Sequence, residues 1–185
     1  MRALNDILPH DIRIIACEEK PGFFARHGAR KKFYRYVILN DRRAFPFYDG
    51  LCWRVEEKLN IAKMNACLPL FKGKKDYFAF SSSGTEYDDY KREVDSIKIK
   101  KYGRWVIIDF KAQSFMYNMI RRITGALVSA GLGEVTPGEI DNMFESRDRS
   151  FIRYMAPPGG LYLVKIIYHE AEPEKRHGKT ERGGL

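Results

Sequence analysis

Two runs of alternating apolar residues, Val94–Lys100 and Trp105–Lys111, stand on either side of Tyr102-Gly103. Period-two alternation flanking a glycine turn dictates a β-hairpin with one wet face and one buried face. The buried face needs a cover, and the sequence supplies one directly afterwards. In Met116–Leu132 the residues Met116, Ile120, Ile123, Leu127 and Ala130 fall on one helical stripe, and Gly131 and Gly133 mark the helix end. A hairpin followed by an amphipathic helix points to an α+β fold, with a largely antiparallel sheet and helices on one face.

The remaining segments fit that class. Asp11–Glu19 reads as a strand broken by Pro21-Gly22, and Phe33–Leu39 as a second strand ended by Asn40-Asp41. Asn60–Phe71 reads as a helix shortened by Pro69, with Ile61, Met64, Leu68 and Phe71 on one face. Lys72–Asp89 is loop-like. Thr136 caps a short helix, Pro137–Glu145, with Glu139 as the partner in a capping box. Gly159-Gly160 precedes a last strand, Leu161–Tyr168, and the charged, glycine-rich tail after Ala171 reads as disordered. No G-x-G-x-x-G and no Walker lysine motif occurs, so a doubly wound nucleotide fold is not indicated.

Charge narrows the partner. Lys and Arg number 33 against 24 Asp and Glu, a net charge of +9, which favours a polyanionic partner, most simply nucleic acid or an anionic membrane surface. No run approaches the roughly 18 apolar residues of a membrane span. The most apolar stretch, Phe115–Val128, carries Arg121 and Arg122 in its middle. Three scattered cysteines and four histidines form no ligand pair. The expectation is a reduced, cytoplasmic protein with no metal, no cofactor and no membrane contact.

Two clusters carry chemistry. Arg26, Arg30, Lys31, Lys32 and Arg35 interleave with Phe33, Tyr34 and Tyr36, a mixture suited to phosphates and unpaired bases. On a strand Tyr34 and Tyr36 share one face and Arg35 takes the other. The alternative is a solvated strand entry whose aromatics are core. Arg121, beside the core stripe, either lies on a wet helix face with Arg122 or points into a site and meets a carboxylate. Arg147-Asp148-Arg149 could pair locally or touch phosphate, and local pairing is the expectation.

Four segments go further. MRALNDILPHDIRI (Met1–Ile14), FFARHGARKKFYRYVILN (Phe23–Asn40), FKAQSFMYNMIRRITGAL (Phe110–Leu127) and APPGGLYLVKIIY (Ala156–Tyr168) occur in the order of the motifs of the tRNA pseudouridine synthase A family. The chain resembles that family over nearly all of residues 1–170. The resemblance implies a pseudouridine synthase-like fold of two ferredoxin-like halves. Residues 1–40 would then be the remainder of the first subdomain, 41–171 the C-terminal subdomain and 172–185 a disordered basic tail. It implies isomerisation of uridine to pseudouridine in the tRNA anticodon arm, tRNA as partner, a homodimer and no cofactor. By motif match Tyr34 stacks on the target base, Leu161 packs against it, and Arg121 pairs with the catalytic aspartate. Arg26, Arg30, Lys31 and Lys32 would meet phosphates. The family's Gly-Arg-Thr-Asp motif is missing from this sequence, since none of its eleven aspartates follows Arg-Thr. Phe24 stands where the family usually has histidine. The expectation is an N-terminally truncated synthase, inactive alone, with Asp11–Glu19 and Phe33–Leu39 stripped of ladder partners. The alternative is a non-catalytic RNA-binding protein on the same scaffold.

Overall fold

A computed structural model describes residues 1–23, 25, 28–82, 84, 86–150 and 154–169. The chain divides into two compact units. The larger is residues 29–167, and the smaller joins the described residues of 1–28 to Tyr168 and His169.

The larger unit is built on a six-stranded sheet among the described residues. Its strands are β1 (Ala29–Asn40), β2 (Trp53–Val55), β3 (Gly73–Asp76), β4 (Lys91–Tyr102), β5 (Trp105–Ala112) and β6 (Leu161–Tyr168). The spatial order is β2-β1-β5-β4-β3, with β6 also paired to β1. The short β1–β2 register is parallel; β1–β5, β4–β5 and β3–β4 are antiparallel. This is the α+β, largely antiparallel class expected. The β4–β5 hairpin turns at Gly103, whose φ of +57° favours a residue without a Cβ. Alternation is strict in β5: Val106, Ile108, Phe110 and Ala112 are buried, while the residues between them are half-exposed.

The buried face is covered by α2 (Ile61–Cys67) and α3 (Met119–Leu132), with α4 (Pro137–Ser146) beside them. Met64, Phe71, Phe80, Ile108, Phe110, Ile123 and Leu127 meet in one core. Helix α2 begins at Asn60, whose side chain accepts a hydrogen bond from the Lys63 backbone N–H; beyond Cys67, Leu68-Pro69 tightens it into a 3-10 turn. The expected Thr136–Glu139 capping box is present at α4.

Three local expectations are corrected. The loop expected over Lys72–Asp89 contains β3, whose Lys74 and Lys75 pair with Glu93 and Arg92 of β4. Lysine-rich sequence hides a strand when long-range pairing selects it. The helix expected from Met116 starts at Met119, because Asn118 adopts a left-handed conformation with φ of +58°. The strand expected over Asp11–Glu19 is not formed. In the smaller unit, α1 (Arg2–Ile7) carries Asn5, whose side-chain amide satisfies both the N–H and C=O of Ile14 at 2.8 and 3.0 Å. That pairing serves Ile14 by a side chain in place of a strand partner, and Ile12 and Ile15 are exposed. The same unit holds an edge-on contact of Phe23 with Tyr168. The stripping of partners expected for Phe33–Leu39 does not occur either: β1 is paired to β5 along one edge and to β2 and β6 besides.

One glycine decides how the chain returns to the sheet. A Cβ on Gly125 of α3 would run into the Tyr154 carbonyl, so the segment Tyr154–Ala156 lies directly on the helix. Gly138 in α4 meets nothing. Gly125→Ala should therefore destabilise the fold by about 1–3 kcal/mol, the usual cost of overpacking against rigid atoms. Gly138→Ala should be neutral or stabilising by up to about 1 kcal/mol. Urea melts of the two variants check the contrast.

Candidate active site

Strand alternation sorts the basic cluster before any chemistry is considered. Tyr34, Tyr36 and Ile38 point to the helix-covered face of β1, Tyr36 being fully buried. Arg35 lies on the opposite face and forms a two-point pair with Asp109 at 2.7 and 3.2 Å. Arg30 and Lys32 share the parity of Tyr34 and are exposed and half-exposed respectively. Lys31 has the opposite parity, and its ammonium is 2.7 Å from Asp95. Arg26 and Phe24 lie outside the described residues.

Tyr34, Arg121 and Leu161 come together. They line one open cleft of about 310 Å³, along with Phe115, Tyr117 and Asn118. Strand β1 delivers Tyr34, the first turn of α3 delivers Arg121, and the first residue of β6 delivers Leu161. Phe115 holds Tyr34 edge-on, with ring centroids 5.5 Å apart and planes at 88°. Partial burial pushes the Tyr34 hydroxyl above its ordinary pKa, so the ring presents a neutral aromatic surface. Tyr36 beneath it is raised further by burial, against an opposing pull from Arg121, and donates to the Pro157 carbonyl at 2.6 Å.

The two adjacent arginines do different things. Arg121 donates from Nε to the Ala156 carbonyl at 2.6 Å and from Nη1 to Asn118 Oδ1 at 2.9 Å. Among the described residues it forms no ion pair. Neutral acceptors thus fix the group while leaving its charge uncompensated at the cleft. Arg122 turns away from the cleft. It donates to the carbonyls of Ala79 at 3.2 Å and Arg149 at 2.6 Å. Burial, reinforced by nearby Arg149, lowers its pKa. Neither arginine lies on a freely solvated helix face, which corrects that alternative for Arg122.

The local pair expected in Arg147-Asp148-Arg149 is also corrected. Arg147 reaches Asp76 at 3.5 Å, and Asp148 accepts from the Ser150 N–H and hydroxyl. Arg149 stacks 3.9 Å from the Phe78 ring centre and donates to Ser81 Oγ. These groups rivet the Phe78–Ser81 turn to the end of α4. Sequence reasoning missed Phe115 and Asn118 as parts of the site. Asparagine just before an apolar helix is an N-cap type, and that signal was available at Asn118. Nothing local marks Phe115.

The sequence has relatives among known proteins. Residues 68–169 match a family model described as tRNA pseudouridine synthase. The tRNA pseudouridine synthase A of Thermoanaerobacter sp. (strain X514) is 37% identical over 167 residues, which is 90% of this chain and 68% of that protein. The protein of the same name from Ruminiclostridium cellulolyticum is 36% identical over 168 residues, 90% of this chain and 69% of its own length. The one from Syntrophomonas wolfei is 32% identical over 169 residues, 91% and 68%.

The division of labour between the arginines is testable by stability alone. Arg122→Ala should cost about 1–3 kcal/mol, because two partly buried carbonyls lose their donors. Tyr34→Phe should stay within about 0.5 kcal/mol, since removing a hydroxyl without a buried bond leaves packing intact. Thermal melts of the full chain read both.

Proposed function

Because the chain belongs to the tRNA pseudouridine synthase A family, we propose that its cleft takes a uridine of the tRNA anticodon arm for isomerisation to pseudouridine. The observation that supports this best is the convergence of Tyr34, Arg121 and Leu161, from three separate motifs, on one cleft. The reaction breaks the N1–C1′ bond of a uridine and forms a C5–C1′ bond after the base turns, with no atom gained or lost. It needs a surface that holds a flat base, a carboxylate and a cation to keep that carboxylate ionised. Tyr34, braced by Phe115, supplies an aromatic face for stacking. Leu161 supplies an apolar contact on the same base. Arg121 supplies the cation: a carboxylate drawn beside it has its pKa lowered and stays charged.

The carboxylate itself is not among these residues. The sequence holds no Gly-Arg-Thr-Asp, so isomerisation by this chain alone is not expected. The same observation favours a second reading, in which the chain binds tRNA without isomerising it. On either reading Arg30 and Lys32, which share the parity of Tyr34, are the first choices for phosphate contact. Lys31 is less suited because Asp95 already engages it. Arg26 completes the proposed basic set. A homodimer working in the cytoplasm completes the proposal.

The test supplies the missing group. The full chain is incubated with an unmodified tRNA transcript, alone and with a separate polypeptide carrying the Gly-Arg-Thr-Asp segment of a relative. The expected result is tRNA binding in both cases and pseudouridine only in the second. Binding should weaken linearly in log–log salt plots, and Arg30→Ala and Lys32→Ala should each reduce the slope by about 1. Tyr34→Ala and Arg121→Ala should lower product formation by about 100-fold or more while sparing most tRNA binding. Full product formation by the Arg121→Ala chain would sink the assignment. Binding without product in the supplied mixture would favour the second reading.

A further inference from the structure

We propose that Asn118 is a positioning residue for Arg121, and that its side chain serves the cleft instead of the helix it precedes. The inference rests on the assignment of Arg121 to the reaction.

An asparagine at the N-cap of a helix ordinarily accepts a hydrogen bond from a backbone N–H one turn in, which stabilises the helix start. Asn118 occupies that position on α3 and makes no such bond. Its Oδ1 accepts instead from Arg121 Nη1 at 2.9 Å, and its Nδ2 donates to Ser82 Oγ at 2.9 Å. The backbone pulls in the same direction. Asn118 has φ of +58° and ψ of 5°, and among the described residues only Arg147 is another non-glycine with positive φ. Asparagine tolerates this region better than most residues, but glycine suits it best. A fold that needed only the turn would be served at least as well by glycine. Conformational demand therefore does not account for the side chain; its two hydrogen bonds do.

Those bonds have a geometric consequence. A guanidinium held at Nε alone pivots about that bond. Arg121 is held at Nε by the Ala156 carbonyl and at Nη1 by Asn118, so its plane is fixed and Nη2 is left as the donor with no partner among the described residues. Arg121, which can only donate, takes Oδ1, and Ser82 Oγ anchors the other end of the Asn118 amide by accepting from Nδ2. The relay Ser82–Asn118–Arg121 sets the angle at which the cation meets an anionic group, and a misplaced cation loses most of its effect on a transition state. Strain retained beside a cleft, where a relaxed residue would fit, is the pattern of a functional constraint.

The test reads the guanidinium directly. In the full chain with ¹⁵N-labelled arginine, the Arg121 resonances are assigned by their loss in Arg121→Lys. The unsubstituted chain should show separate Nη1 and Nη2 lines at low temperature. Asn118→Gly should average them into one line while its melting temperature stays level or rises. Ser82→Ala should broaden them. Asn118→Asp, which keeps an acceptor, should leave them split. In the supplied-segment assay Asn118→Gly should lower kcat by about tenfold or more with KM for tRNA within about twofold. The proposal is overturned if Asn118→Gly keeps split lines, or if it lowers the melting temperature and leaves Arg121 unmoved. If Asn118→Gly misfolds, the contrast between Ser82→Ala and Asn118→Asp decides. If Arg121→Lys itself has no effect on product, the functional reading fails, and the spectra still report whether Asn118 holds Arg121.

Discussion

The register between β1 and β5 is the constraint on which the larger unit depends. Eight consecutive residue pairs, from Lys32 opposite Ala112 to Leu39 opposite Trp105, align the two strands. A slip of one residue would turn every side chain to the other face. Tyr36 and Ile38 would leave the core, Arg35 would lose Asp109, and Tyr34 would leave the cleft. The register holds because both strands bury the same face under α2 and α3. The site inherits its geometry from a hydrophobic requirement that has nothing to do with chemistry.

A second layer of order comes from arginines that answer to backbone carbonyls. Arg121, Arg122 and Arg149 donate to the carbonyls of Ala156, Ala79, Arg149 and Phe78. Such bonds tie loops to helices without cancelling charge. For Arg122 and Arg149 the outcome is structural: the Phe78–Ser81 turn is pinned against α3 and the end of α4. For Arg121 the same type of bond has a different use, because it lies at the cleft. A guanidinium fixed by neutral acceptors is oriented and still fully charged, which is what an incoming carboxylate or phosphate requires.

Gly125 links these layers. The missing side chain lets Tyr154–Ala156 lie on α3, and that approach carries the Ala156 carbonyl to Arg121 Nε. A glycine in mid-helix costs helix propensity. Here the cost is offset by a close contact that no other residue allows. The chain then passes Pro157, which accepts from Tyr36, and enters β6 at Leu161 on the rim of the cleft.

The sequence by itself determined the elements with strong local signals. The β4–β5 hairpin, the Thr136–Glu139 capping box, the Leu161–Tyr168 strand and the parity of Tyr34 against Arg35 all follow from periodicity or turn chemistry within a few residues. The motifs likewise placed the chain in its family and singled out Tyr34, Arg121 and Leu161. Only the tertiary structure decided the rest. Strand β3 exists because β4 pairs with it, although its own residues argue against a strand. Asp11–Glu19 has the alternation of a strand and no ladder; within it the Asn5 amide takes both backbone groups of Ile14. Arg121 and Arg122 are adjacent in sequence and alike in composition, yet one meets the cleft and the other a buried turn. Their partners lie tens of residues away, and local pattern carries no information about which distant carbonyl a guanidinium will reach.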